Sequence, residues 1–114
     1  MNKRIVFRNM EHSDIMENHA NEQLHKVEDF LSHEPDPIYI DLFLEPSHVH
    51  AHHRVELNVK SPHYERTIHK EGPQFYQVLD HVIDVMYRAL LDDKERRIDS
   101  LKQMGRHDEF KKQR

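Results

Sequence analysis

Two residues, Gly72 and Pro73, divide this chain into parts that follow different periodicities. Beyond them Phe75, Val78, Leu79, Val82, Ile83, Met86 and Leu90 recur at the three- and four-residue spacing of a helix face, and the pattern continues to about Leu101. The spacing predicts one long amphipathic helix that closes the domain, with Pro73 just inside its start. Ahead of Gly72 the apolar residues mostly alternate, in short runs broken by prolines and polar clusters. A chain that ends on such a helix after several half-buried strands has few architectures open to it.

The first alternating run is residues 3–9, with Ile5 and Phe7 on one face, and polar residues 11–13 end it. Asp14 followed by Glu17 has capping-box spacing with Asp14 as the cap. Met16, Ala20, Leu24, Val27 and Leu31 then predict a helix over about 14–32. Pro35 and Pro37 stop it. Ile38, Ile40, Leu42 and Leu44 alternate with Tyr39, Asp41 and Phe43, the most apolar strand in the chain. After a loop near residues 46–49, Val55, Leu57 and Val59 mark a third strand; a tight connection at Ser61, Pro62 and His63 leads to a weaker fourth one at Tyr64, Arg66 and Ile68. The expectation is an α+β domain of order β-α-β-β-β-α. Its four-stranded, antiparallel-dominated sheet carries both helices on one face and leaves the other face wet.

With 114 residues there is room for one core, so residues 1–104 read as a single domain and residues 105–114 as a charged flexible tail. The chain has no cysteine, which removes disulfides, thiolate metal sites and a cysteine nucleophile. The apolar run at Ile5 to Phe7 is too short for a signal segment or a membrane span, so no membrane partner and a cytoplasmic location are expected. A net charge of −4 gives no overall attraction to nucleic acid, and any such role must rest on a local patch. Asp80 and Asp84 lie one turn apart and read as a solvated flank of the stripe, with no nucleophile or glycine-rich phosphate loop beside them. No catalytic residue, enzyme activity, small-molecule substrate or cofactor is therefore expected. Twelve histidines are unusual, and His48, His50, His52 and His53 cluster before the third strand. Three of them would share a side of an extended backbone, as a borderline ion such as zinc, nickel or copper requires, although a histidine-rich polar loop is the ordinary explanation, and no metal is assigned.

The order and spacing of several pieces resemble a known family. These are Arg8-Asn9-Met10-Glu11, Leu24-His25-Lys26-Val27-Glu28, and Glu71-Gly72 followed by Phe75, Tyr76, Asp80, Asp84, Arg88, Leu90 and Lys94. Over about residues 4–102 the chain is similar to the short ribosome hibernation promoting factors, also called ribosome-associated inhibitors or sigma-54 modulation proteins. The resemblance implies a domain similar to double-stranded-RNA-binding folds. Such a domain lodges on the small ribosomal subunit and its rRNA, and inhibits translation by occupying the decoding region. Holding that RNA takes lysine and arginine aimed at phosphates. The candidates are Arg8, Lys26, Arg88, Lys94, Arg96 and Arg97, with a monomer favoured. Where the family tends to be basic this chain carries Glu17, Gln23, Asp29, Val85, Leu91 and Asp92. Two alternatives stand beside this reading: a diverged interaction module that has the fold but little ribosome affinity, and a histidine-based metal-binding protein.

Overall fold

The computed structural model describes residues 1–49 and 51–112, those from 105 onward by backbone alone. It contains β1 (Asn2–Phe7), α1 (Asp14–Leu31), β2 (Tyr39–Pro46), β3 (His53–Lys60), β4 (Glu65–Gly72) and α2 (Phe75–Lys112) in that order. The strands form one sheet in the order β1-β2-β3-β4. β1 lies parallel to β2, while β2–β3 and β3–β4 are antiparallel hairpin pairs. This follows from connection length: α1 lies between β1 and β2 and lets the chain return in the same direction, whereas the two later connections are short.

Register sorts the side chains. Ile5 faces Leu42, Leu42 faces Leu57 and Leu57 faces Ile68, so one apolar row crosses the whole sheet. Ile40, Leu44, Val55 and Val59 extend that face, and all four are buried against Ala20, Leu24, Val27 and Leu31 of α1 and Val78, Leu79, Val82, Ile83, Met86 and Leu90 of α2. Both helices therefore cover one face, as the periodicities require. The opposite face carries charge in ladders, Arg4 to Asp41 at 2.8 Å and Arg54 to Glu45 at 3.1 Å. Phe43 is an apolar exception there, 8% exposed between its strand partner Val6 and the Arg8 guanidinium, which lies 3.9 Å from its ring centroid.

Three local features differ from expectation. The cap of α1 is Ser13, whose hydroxyl accepts from the Met16 amide at 3.3 Å, and Glu17 instead pairs with His12. Ser13 has the extended backbone of a cap, and Asp14 occupies the first helical position, where its charge suits the helix dipole. Pro73 lies two residues before the first helical residue of α2, not within it. The helix also continues beyond Leu101, to Lys112, past the boundary expected near residue 104; the flexible tail expected at 105–114 falls where side chains lie outside the described residues.

Two backbone positions fix where the helices start. Asn9 has φ 56°, a left-handed conformation that asparagine tolerates, and it turns the chain out of β1 toward the α1 cap. Gly72 ends β4 so close to α2 that a Cβ there would sit 2.7 Å from Val78 Cγ2. Because valine is stiff at χ1, the contact requires glycine.

Candidate nucleic-acid interface

The two helices run side by side in the same direction, and their seam carries two of the six candidate cations, Lys26 and Arg88. His19 meets Asp80 at 2.8 Å, and its ring also packs edge-on against Tyr76. Further along, Lys26 reaches Asp84 at 3.2 Å and sits 5.6 Å from the Tyr87 ring centroid. Arg88 closes on the other oxygen of Asp84 at 3.1 Å, one turn away on α2. The hydrogen bond from Lys26, together with the nearby charges of Arg88, Lys26 and His81, holds Asp84 below the usual carboxylate range against the opposing effect of burial. Asp80 and Asp84 are thus ties between helices, where the sequence suggested a merely solvated flank. The clue was available: His19 and Lys26 are spaced by two turns on α1, as the edge of a seam demands.

Past the end of α1 the pattern changes. Arg66 of β4 forms a two-pronged pair with Asp93, at 2.8 and 2.7 Å, and Arg96 approaches the same carboxylate at 3.8 Å. Hydrogen bonding from Arg66 lowers the Asp93 carboxyl from its ordinary value against the opposing effect of burial, and the charges of Arg66 and Arg96 add to this. Lys94 and Arg97 point elsewhere: among the described residues neither has a carboxylate partner. Both line a hollow of ≈ 120 Å³ together with Phe30, His33, Glu34 and Tyr64. Phe30 and Tyr64 meet edge to face with centroids 5.2 Å apart, and Lys94 Nζ lies 5.9 Å from the Phe30 centroid.

Glu34 is what holds this corner together. Burial raises its pKa, but the His63 ring at 2.9 Å, the Ser61 hydroxyl at 2.8 Å and the His63 amide at 3.0 Å outweigh that and leave it lowered. Its carboxylate therefore anchors the end of α1 to the β3–β4 connection and fixes Tyr64 next to Phe30. Sequence reasoning missed Phe30, Glu34 and Tyr64 as a group. Phe30 flanks the α1 stripe one place before Leu31, and a large aromatic at a stripe edge was the available signal.

The structure thus brings Lys26 with Arg88, and Lys94 with Arg97, along one side of the helix layer. Arg96 is tied toward β4, and Arg8 lies on the far face of the sheet over Phe43, away from the rest. For the histidine cluster, His50 lies outside the described residues, while His53 packs edge-on against Phe75. The one group among the described residues whose ligand atoms converge is His12, Asp14 and Glu17, exposed or half-buried at the start of α1. No described helix is long and apolar enough to cross a membrane.

A four-stranded sheet covered on one face by two helices, in the order β-α-β-β-β-α, is an architecture seen before. The crystal structure of the Thermus thermophilus Protein Y N-terminal domain matches with a TM-score of 0.63 at 18% identity, over 79% of this chain and 96% of that one. A ribosomal subunit interface protein from Coxiella burnetii matches with a TM-score of 0.66 at 17% identity, over 83% of this chain and 99% of that one. At those identities the likeness is one of fold. Family membership comes from sequence: the chain belongs to the sigma 54 modulation protein / S30EA ribosomal protein family, whose pattern matches residues 4–98. No curated protein matches the chain.

Proposed function

We propose that this chain is a non-enzymatic translation inhibitor of the hibernation type, which binds rRNA of the small ribosomal subunit in its decoding region and blocks messenger and transfer RNA by occupancy. The observation that carries the reading is the pair Lys94 and Arg97, exposed and, among the described residues, without carboxylate partners beside an aromatic hollow. Unpaired guanidinium and ammonium groups are free to release counterions from phosphates, which is the dominant electrostatic term in RNA affinity. Membership of a family described as a ribosomal protein family supports the partner, as does the fold shared with a ribosomal subunit interface protein.

Lys94 and Arg97 are the primary contacts. Lys26 and Arg88 are secondary, because each must loosen its bond to Asp84 before it serves a phosphate. Arg96 is held near Asp93 but is 74% exposed, and contributes at the margin; Arg8 faces the other way and reaches RNA only if the subunit wraps the sheet. The protein acts in the cytoplasm as a monomer and takes no cofactor. Co-sedimentation with purified small and large subunits at about 50 mM salt tests this. The chain should pellet with small subunits only and be displaced when messenger and transfer RNA fill the decoding region. Failure to pellet, or pelleting that those RNAs leave unchanged, contradicts it.

A further inference from the structure

The hollow beside Lys94 and Arg97 is more than a phosphate site, because its floor is carbon. Phe30 is half-buried and Tyr64 is 7% exposed, and their rings form its apolar side, while Lys94, Arg97 and His33 stand exposed around it. Among the described residues the only carboxylate lining it, Glu34, is occupied by three donors from Ser61 and His63. A bare phosphate would find cations on the rim but no donors at the floor. A ring would find an aromatic surface, and its attached phosphate would find the cations.

We propose that this hollow receives one unstacked base of single-stranded RNA, packed on Phe30 and Tyr64, while Lys94 and Arg97 hold the adjoining phosphate. The assignment rests on the RNA-binding reading and narrows it to single-stranded elements of rRNA. Size agrees: a space of ≈ 120 Å³ accommodates a ring and leaves sugar and phosphate at the mouth, next to the cations. A duplex keeps its bases inside the stack and offers no ring, whereas loops and strand ends do. An aromatic side chain of a protein partner would fill the floor but bring no anion to Lys94 and Arg97, so RNA satisfies more of the site.

The test uses the full chain and follows backbone amide signals by NMR at constant ionic strength, with AMP, inorganic phosphate, a short single-stranded oligoribonucleotide and its duplex as probes. AMP and the single strand should shift Phe30, Tyr64 and Lys94 together, phosphate should shift Lys94 and Arg97 alone, and the duplex should bind about tenfold more weakly than the single strand. Phe30→Leu retains apolar bulk and removes the aromatic face. It should weaken the single strand about tenfold and leave the response to phosphate as it was, while lowering the melting temperature by only a few degrees. Equal binding of duplex and single strand, AMP shifts confined to residues outside the hollow, or an unaffected Phe30→Leu overturns the base site. If that variant does not fold, the wild-type comparison of single strand with duplex and the position of the AMP shifts decide. Single-strand binding in the hollow without small-subunit binding would overturn the ribosomal reading alone, and small-subunit binding that tolerates Phe30→Leu would overturn the base site alone.

Discussion

The two ends of the helix layer hold similar side chains and use them in opposite ways. Toward the start of the seam, basic side chains and carboxylates pair: His19 with Asp80, Lys26 and Arg88 with Asp84. Beyond the end of α1, Asp93 is taken by Arg66 and Glu34 by His63 and Ser61, which leaves Lys94 and Arg97 without a carboxylate partner among the described residues. Counting basic residues along a helix thus overstates its phosphate surface, since a lysine that ties two helices together cannot also meet RNA without breaking that tie.

The comparison depends on the sheet beneath both ends, and its largest break comes from there. Leu42 is fully buried, between Ile5 and Leu57 on neighbouring strands. Leu42→Asp should cost on the order of 4 kcal/mol by placing an unpaired carboxylate in the core, enough to unfold much of a marginal domain and remove both regions at once. Thermal melting by circular dichroism checks this, and an unchanged midpoint would contradict the packing described.

Next comes charge reversal at the free end. Lys94→Glu with Arg97→Glu should lower small-subunit affinity about a hundredfold at 0.1 M salt while the melting temperature stays put, because neither side chain is ion-paired among the described residues. Smaller and of opposite sign is the effect of releasing the occupied end. Asp84→Asn should free Lys26 and Arg88, raise affinity severalfold, and reduce stability by less than about 1 kcal/mol, since exposed ion pairs contribute little. An affinity that falls in Asp84→Asn would show that the tie itself orients the binding surface.

The smallest effect is on acid stability. Glu34 and Asp93 have pKa values lowered in the folded chain, so the unfolded chain binds more protons as pH falls through the carboxylate range. Their contribution is complete above about pH 5 and is lost as pH falls through and below about 4. Glu34→Gln should make the melting temperature less sensitive to pH between about 5 and 3 than in the wild type, while changing affinity for the small subunit little. An acid limb as steep as the wild type's would mean that Glu34 does not anchor this corner.

Much of the fold could be read from the sequence because burial imposes periodicity. The run of Ile38, Ile40, Leu42 and Leu44 alternates since one side meets the helices, and the stripe from Phe75 to Leu90 repeats since α2 lies along the sheet. What could not be read depends on partners distant in the chain. That Ser13 rather than Asp14 caps α1 depends on where the loop from β1 delivers the chain, and Phe43 is buried on the largely charged face with Arg8 over its ring. Lys26 and Lys94 look alike along the sequence; only the fold places Asp84 by one and Phe30 by the other.

The salt dependence of small-subunit binding tests the central difference most directly. Each phosphate contact contributes about 0.7 to 0.9 to the slope of log affinity against log salt. Lys94→Gln with Arg97→Gln should make that slope shallower by about 1.5, whereas Lys26→Gln with Arg88→Gln should change it by less than about 0.5. Equal changes for the two double variants, or a larger one for the Lys26 and Arg88 pair, would contradict the account.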